Sequence, residues 1–301
     1  MSRQIRSMTP SVENCANFDV LIVGAGFAGM YMLHKCRQLG LSTRVFEVGK
    51  GVGGTWYWNR YPGARCDVES VQYSYQFDTE LEQEWTWSEK YSTQPEILRY
   101  ANHVADRFDL RDNIQFETRV ISAEYSEADK LWVLETDRNE KVSSRYCVFA
   151  TGCLSSSNVP KFEGYETFKG LSYHTGRWPH EGVNFSGLRV GIIGTGSSAI
   201  QSIPEIAKEA NQLTVFQRTA NYTIPARNSQ LTEDYVSSIK ADYPGLRERA
   251  RNKPAGYDIP LNSQSVLEVS REDANIEFQR RWELGGTQFL GAYGDLLLNP
   301  D

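Results

Sequence analysis

The 301 residues carry 32 Lys+Arg against 38 Asp+Glu, a formal charge of −6, with 40% apolar and 12% aromatic positions. That balance excludes a disordered chain and argues against nucleic acid or an anionic membrane as partner, because both select positive surface. No apolar run approaches the ~20 residues of a membrane span, and no apolar stretch follows Arg3 and Arg6 as a secretory leader requires. The five cysteines (Cys15, Cys36, Cys66, Cys147, Cys153) are odd in number and lack metal-type spacing, which reads as reduced thiols in a cytoplasmic protein. The length predicts two domains.

Residues 1–17 are polar and unpatterned and read as a loose arm. Asp19–Val23 is a continuous apolar run closed by Gly24, which fits a strand buried on both faces of a parallel sheet. Ala28, Met32, Cys36 and Leu39 recur at helical spacing before Gly40, and Thr43–Glu47 is a second short strand. Together they make a βαβ unit. Residues 95–108 read as a helix with Pro95 in its first turn. Gln115–Ile121 and Leu131–Thr136 read as a hairpin, and Arg145–Ala150 as a strand. Residues 153–187 are a Gly/Pro/Ser-rich connection, so the first domain is expected at 18–152. A second unit begins at 188, with a strand Leu188–Ile193, a helix Ser197–Ala210 that Pro204 should kink or shorten, and a strand Leu213–Gln217. Residues 228–301 turn polar and helical, with helices expected at Leu231–Ala241, Ser265–Asn275 and Ile276–Leu284.

Two glycine turns carry the functional signal. Gly24-Ala25-Gly26-Phe27-Ala28-Gly29 follows a strand and opens a helix. The first glycine permits the tight turn, the second lets the backbone approach a pyrophosphate, and the third lets helix and strand pack closely. The free N–H groups and positive dipole end of the helix suit phosphate. Glu47, 21 residues after Gly26, stands where a carboxylate accepts from ribose hydroxyls. Gly194-Thr195-Gly196-Ser197-Ser198-Ala199 repeats the device about 170 residues on, with the alanine that the fingerprint allows. Its second strand ends in Phe216-Gln217-Arg218-Thr219 without an acid, and Arg218, 22 residues after Gly196, is expected to stand where Glu47 stands in the first unit. A guanidinium there can bind a 2′-phosphate that an acid would repel. Two such sites imply two redox cofactors, FAD in the first and NADPH in the second. A disulfide reductase would need a cysteine pair soon after the first fingerprint, whereas Cys36 and Cys66 are single and distant in sequence.

The connection contains Phe168-Lys169-Gly170-Leu171-Ser172-Tyr173-His174-Thr175-Gly176-Arg177-Trp178-Pro179. This F-x-G-x-x-x-H-x-x-x-W-P pattern between two glycine fingerprints resembles the signature of type I Baeyer–Villiger monooxygenases. Gly51–Ser70 resembles the matching segment of the phenylacetone and cyclohexanone monooxygenase members. The resemblance runs from about 18 to 228 and is looser from 229 to 301. It implies two Rossmann-like dinucleotide-binding domains, the second limited here to 188–227, a linker at 153–187, and a helical region at 228–301.

The resemblance also implies site residues. Gly24, Gly26, Phe27, Gly29 and Glu47 would hold the FAD pyrophosphate and ribose, and Thr55, Trp56, Asp67, Tyr73 and Val120 would lie along the FAD. Arg65, Cys66 and Asp67 would border the nicotinamide. Gly194, Thr195, Gly196, Ser197, Ser198 and Gln201 would bind the NADP pyrophosphate, with Arg218 and Thr219 on the 2′-phosphate. Phe168, Gly170, His174, Trp178 and Pro179 form the linker motif. Asp67 is the candidate catalytic residue, because the family chemistry keeps an oxidising anion beside a cation, and a carboxylate at this position orients that arginine. On residue chemistry alone, Asp67 could instead cap a turn or pair with Arg60 or Arg65. His174 reads as a hydrogen-bonded linker histidine, and Trp56, Tyr57 and Trp58 could equally be core.

The reaction so implied consumes NADPH and O2 and converts a ketone to an ester or lactone, with the oxygen chemistry supplied by FAD. Family members are longer, and their remaining strands, peroxide-stabilising arginine and second 2′-phosphate ligand lie beyond residue 301, so the chain is expected to be a partial one. The competing readings are an N- or S-hydroxylating flavin monooxygenase, an NADPH oxidase, and a non-catalytic FAD-binding fragment. A truncated chain is further expected to expose sheet edges and apolar surface.

Overall fold

The computed structural model describes residues 15–296, so most of the expected arm at 1–17 lies outside the described residues. In chain order the elements are β1 (Ala16–Val23), α1 (Phe27–Gln38), β2 (Thr43–Phe46), α2 (Thr55–Trp58), α3 (Thr79–Glu84), α4 (Gln94–Arg107), β3 (Ile114–Gln115), β4 (Val120–Ser126), β5 (Leu131–Thr136) and β6 (Lys141–Phe149). They continue with β7 (Arg189–Ile193), α5 (Ser197–Glu209), β8 (Gln212–Phe216), α6 (Glu233–Ala241), α7 (Tyr243–Arg251) and α8 (Arg271–Leu284). The chain divides into two compact units, residues up to Tyr61 with Ile97–Gly182, and Pro62–Glu96 with Val183 onward. Pro62–Glu96, placed by the sequence within the first domain, thus clusters with the second.

The first unit is built on a six-stranded sheet of order β3-β2-β1-β6-β5-β4. β1 pairs in parallel with β2 on one side and β6 on the other, while β4, β5 and β6 are antiparallel neighbours. The chain leaves β1 toward β2 and returns beside β1 from the opposite side as β6, so strand order reverses at β1. The crevice at the carboxyl end of such a reversal is where open α/β sheets bind ligands. β1 is buried on both faces as its apolar run requires. Val20 and Ile22 join α1 residues Met30, Leu33 and Cys36 and α4 residues Ala101 and Ala105, while Leu21 joins Phe46, Leu134 and Val142. β1 starts at Ala16, earlier than its apolar run suggests, because Ala16, Asn17 and Phe18 find ladder partners in Val142, Ser143 and Ser144. The expected hairpin is corrected: Ile114–Gln115 pairs in parallel with β2, and the antiparallel partner of β5 is Val120–Ser126. The chain turns away from β2 at Glu117, whose φ is +54°.

In the second unit, β7 and β8 pair in parallel with Ile193 opposite Phe216, the only sheet in this unit among the described residues. Ile193 and Phe216 are exposed. Helix α5 is not shortened at Pro204. It keeps going because Ser202 and Ile206 are buried on its packed face, and the Ser202 hydroxyl donates to the Ser198 carbonyl one turn back. The two helices expected over 265–284 are one. Ser270 caps α8 by accepting from the Asp273 amide, and Ser265 instead opens a short 3-10 turn tied to Asp295. Helix α7, not anticipated, begins with Pro244 in its first turn, where a missing N–H costs nothing.

Arg247 and Glu82 form a buried ion pair in the second unit. Arg247 Nε donates to Glu82 Oε1 at 2.8 Å, with both side chains nearly inaccessible, and Arg247 Nη2 donates to Ser74 Oγ at 2.7 Å. Removing one partner leaves a buried charge uncompensated, so Glu82→Gln is expected to cost about 3–5 kcal/mol. Glu205→Gln, which breaks an exposed pair with Lys208, is expected to cost less than about 1 kcal/mol. Urea unfolding followed by tryptophan fluorescence compares the two.

Candidate functional site

The turn after β1 is shaped by contacts that exclude side chains. Gly24 has φ +104°, its N–H donates to Phe46 O at 2.8 Å, and a Cβ there would lie 2.6 Å from Ala150 O. Gly26 is the extended residue before α1, and Phe27 is the first helical residue. No side chain caps this helix and no acid occupies its first turn, so its amide end is open to an anion. Gly29 packs on the turn, where a Cβ would stand 1.9 Å from Gly24 O. Gly53 and Gly54, both at positive φ, close over the same turn: Gly53 N–H donates to Ala25 O at 3.0 Å, and Gly54 lies against Gly26. These two glycines were not singled out from the sequence, although a Gly-Gly pair is a sign of close backbone approach. They lead into α2, which starts at Thr55 and buries Trp56.

Glu47 stands at the end of β2, almost fully buried. One carboxylate oxygen accepts from Ala25 N–H and the other from Gly49 N–H, each at 2.7 Å. Each oxygen keeps a lone pair free for another donor. The carboxylate therefore both braces the glycine turn and is ready to accept from a ribose diol. An open helix terminus beside a buried acceptor fits an adenine dinucleotide. Val120 begins β4 in this same unit, half-buried.

The second turn copies the first. Gly194 has φ +101° and donates to Phe216 O at 2.8 Å, and Gly196 is again extended before an uncapped, acid-free helix start formed by Ser197 and Ser198. Ala199 replaces Gly29. The strand register corrects one expectation. Val23 pairs with Phe46 and Ile193 with Phe216, so the counterpart of Glu47 is Gln217, and Arg218 lies one residue beyond it. Gln217 Nε2 donates to Thr195 Oγ1 at 3.0 Å, and Asn221 Nδ2 donates to Thr195 O at 2.8 Å. A neutral amide thus replaces the acid that braces the first turn. Gln217 was legible from its spacing to Gly194, which equals that of Glu47 to Gly24, whereas Asn221 had no signal. Arg218 and Thr219 are exposed.

Arg65, Cys66, Asp67 and Tyr73 fall in the second unit. Cys66 N–H donates to Ser92 O at 3.1 Å, and Gln94 N–H donates to Ala64 O at 2.8 Å. Arg65 pairs with Glu89 at 3.6 Å, and Asp67 accepts from Gln201 Nε2 at 3.1 Å, so the alternative pairing of Asp67 with Arg65 is not formed. Burial pushes the Cys66 thiol up to about 11. Tyr73 closes a turn by donating its N–H to the Glu69 and Ser70 carbonyls. Gln201, expected at a pyrophosphate, directs its amide to Arg65 and Asp67 instead.

The linker motif lies in the first unit. The Phe168 ring covers Gly170, where a Cβ would be 2.6 Å from its Cζ. His174 Nδ1 accepts from Gly176 N–H at 3.1 Å and caps the 3-10 turn Thr175–Arg177, the structural role expected for it. Trp178 is buried 5.7 Å from the Tyr173 ring, and Pro179 O accepts from Gly182 N–H. Tyr57 and Trp58 stack edge-on and both contact the His180 ring. Burial and the nearby Arg60 charge lower the His180 pKa.

The sheet reversal and the two glycine turns define an α/β protein with two Rossmann-type units. The chain belongs to the pyridine nucleotide-disulphide oxidoreductase family, whose profile matches residues 21–281. It is 44% identical to a Baeyer-Villiger monooxygenase of Pseudooceanicola batsensis, over 90% of this chain and 50% of that protein. It is 42% identical to phenazine N-monooxygenase PhzNO1 of Lysobacter antibioticus, over 94% of this chain and 53% of that protein. A solved structure of oxidized steroid monooxygenase bound to NADP superposes with a TM-score of 0.91 at 54% identity, covering 95% of this chain and 55% of that one. The chain spans about half the length of the curated relatives it matches. The Baeyer–Villiger resemblance carried by the linker motif is borne out by these relatives. All five cysteines are unbridged.

Gly29→Ala is expected to destabilise the chain by about 1–3 kcal/mol, because backbone must move to admit the methyl group. Ala199→Gly, at the matching place, should cost only about 1 kcal/mol of helix propensity. Thermal unfolding separates them. Cys66, with a thiolate fraction on the order of 10⁻³ at pH 8, should resist iodoacetamide while exposed Cys153 is labelled. Peptide mass mapping of a time course reads the order.

Proposed function

We propose that this chain carries the FAD- and NADPH-binding units of a monooxygenase that oxidises ketones to esters or lactones with O2. The observation that carries this reading is the pair of glycine turns with matching dihedrals, braced by chemically different residues. Glu47, an acid, suits the ribose diol of FAD, and Gln217 with Arg218 suits a 2′-phosphate. Trp178-Pro179 and the 44% identity to a Baeyer-Villiger monooxygenase support the ketone as substrate class.

In this reading the first helix terminus, with Gly24, Gly26, Phe27 and Gly29, receives the FAD diphosphate, and Thr55, Trp56 and Val120 flank the remainder. The second terminus, from Gly194 to Ser198, receives the NADPH diphosphate, and Arg218 and Thr219 take its 2′-phosphate. Arg65, Cys66 and Asp67 border the nicotinamide. When bound, NADPH supplies hydride and FAD supplies oxygen-activating chemistry. The protein contributes position and charge, and Asp67 supplies the carboxylate that orients a cation toward developing negative charge. Oxygen transfer to nitrogen is the second reading, favoured by the 42% identity to a phenazine N-monooxygenase. Five unbridged thiols support a cytoplasmic location, and no helix among the described residues is long and apolar enough to cross a membrane.

Titrating the purified chain with FAD should give one bound flavin with a shifted visible spectrum. Glu47→Ala should weaken binding by about tenfold or more, the worth of charge-assisted hydrogen bonds to the ribose. Arg218→Ala should reduce the preference for NADPH over NADH by a similar factor. Incubation with a ketone, a phenazine, NADPH and ¹⁸O2 decides the substrate class by mass spectrometry. Labelled ester supports the ketone reading, labelled N-oxide supports the second, and failure of NADPH to reduce the bound flavin overturns both.

A further inference from the structure

Residues 64–66 run antiparallel to 92–94, but the ladder uses only one edge of the segment. Ala64 O and Cys66 N–H face residues 92–94, and Arg65 is the bridge residue opposite Thr93. In such a pairing the N–H and C=O of Arg65 point to the other side, and left unmet in a partly buried segment they would be costly. One side chain meets both. Gln201 Oε1 accepts from Arg65 N–H at 3.3 Å, and Gln201 Nε2 donates to Arg65 O at 3.1 Å. The primary amide stands where the peptide group of a third strand would be. This double bond to backbone also settles which end of the amide is oxygen, since only one orientation serves both partners. The same Nε2 then donates to Asp67 Oδ1 at 3.1 Å.

The approach is made possible by Gly63. Its φ is +76°, and a Cβ on it would stand 2.2 Å from Gln201 O. Helix α5 and the 63–67 segment are therefore in backbone contact at the residue whose side chain bonds Arg65 and Asp67. Arg65, meanwhile, is turned to Glu89, which also accepts from Asn228 Nδ2. Asp67 thus receives a neutral donor that orients its carboxylate without neutralising it.

We propose that Gln201 is a positioning residue: it acts as a surrogate strand for Arg65 and aims the Asp67 carboxylate from the helix that carries the second glycine turn. The chemical consequence rests on the ketone-oxidation reading of Asp67, while the positioning itself does not. Gln201 is then not a diphosphate ligand, and the location of the bound reductant and the aim of Asp67 are set by one helix.

The test uses the 301-residue chain with Gln201→Leu, which removes the bonds to Arg65 and Asp67, and Gln201→Glu. The glutamate keeps an acceptor for Arg65 N–H, loses both donors, and sets a second carboxylate beside Asp67. Amide hydrogen exchange should rise about tenfold at Arg65 in Q201L and stay near wild type in Q201E, as expected from loss or retention of one net hydrogen bond. Unchanged exchange in Q201L overturns the proposal. In the FAD-loaded protein, stopped-flow reduction by NADPH should slow by roughly tenfold in both variants while NADPH affinity stays within about twofold. A loss of affinity equal to the loss of rate would make Gln201 a diphosphate ligand and also overturn it. If wild-type FAD-loaded protein is not reduced by NADPH, the proposed function fails, and the exchange result still decides the position of Arg65.

Discussion

Gly29 lies so close to Gly24 that a single methyl group would come within 1.9 Å of the Gly24 carbonyl oxygen. That contact presses the start of α1 onto the end of β1 and leaves the helix amides uncovered at the sheet's reversal point. The return strand β6 adds a second limit, because its exit at Ala150 closes the space beside Gly24. Gly53 and Gly54 close the third side. A surface made almost entirely of backbone donors remains, and such a surface suits a diphosphate better than any side-chain cation because it needs no reorganisation.

The two units apply one geometry to two chemical ends. Turn dihedrals, the hydrogen bond from the first glycine to the end of the second strand, and the uncapped helix all recur. What changes is the group bracing the turn. In the first unit a carboxylate accepts from the turn's own backbone, and in the second, amides of Gln217 and Asn221 donate to Thr195. The reversal of donor and acceptor removes a buried negative charge from the second turn. It does so with the same turn dihedrals, so the two turns share a backbone path and differ in electrostatics.

Pro62–Glu96 shows how a segment with little secondary structure is held. It is laced to the second unit by the Arg65–Gln201 pairing, by Lys90 and Leu231 amides donating to Ser229 and Ser88 carbonyls, and by the buried Glu82–Arg247 pair. These polar bonds are spread along the segment and add to the burial of Val71, Leu81, Trp87 and Tyr91. Each hydrogen-bonding group has few geometries that satisfy it, which narrows the register of the segment.

Much of this was legible in the amino-acid order. The apolar run at 19–23, the helical spacing after Gly26 and the twin fingerprints determined both βαβ units, because those signals are local and strongly periodic. Glu47 was legible for the same reason, its distance from the fingerprint being set by one helix and one strand. Local pattern failed where partners are remote in sequence. β3 pairs with β2 rather than β4, α5 runs on through Pro204 because its buried face outweighs one lost hydrogen bond, and α8 takes the place of two helices because Ser270 claims its cap. The tertiary structure, by pairing Ile193 with Phe216, made Gln217, already marked by its spacing to Gly194, and not Arg218 the counterpart of Glu47. It alone decided that Gln201 reaches across 136 positions to Arg65. A hydrogen-bonding vacancy on one strand edge leaves no mark in the sequence of the residue that fills it.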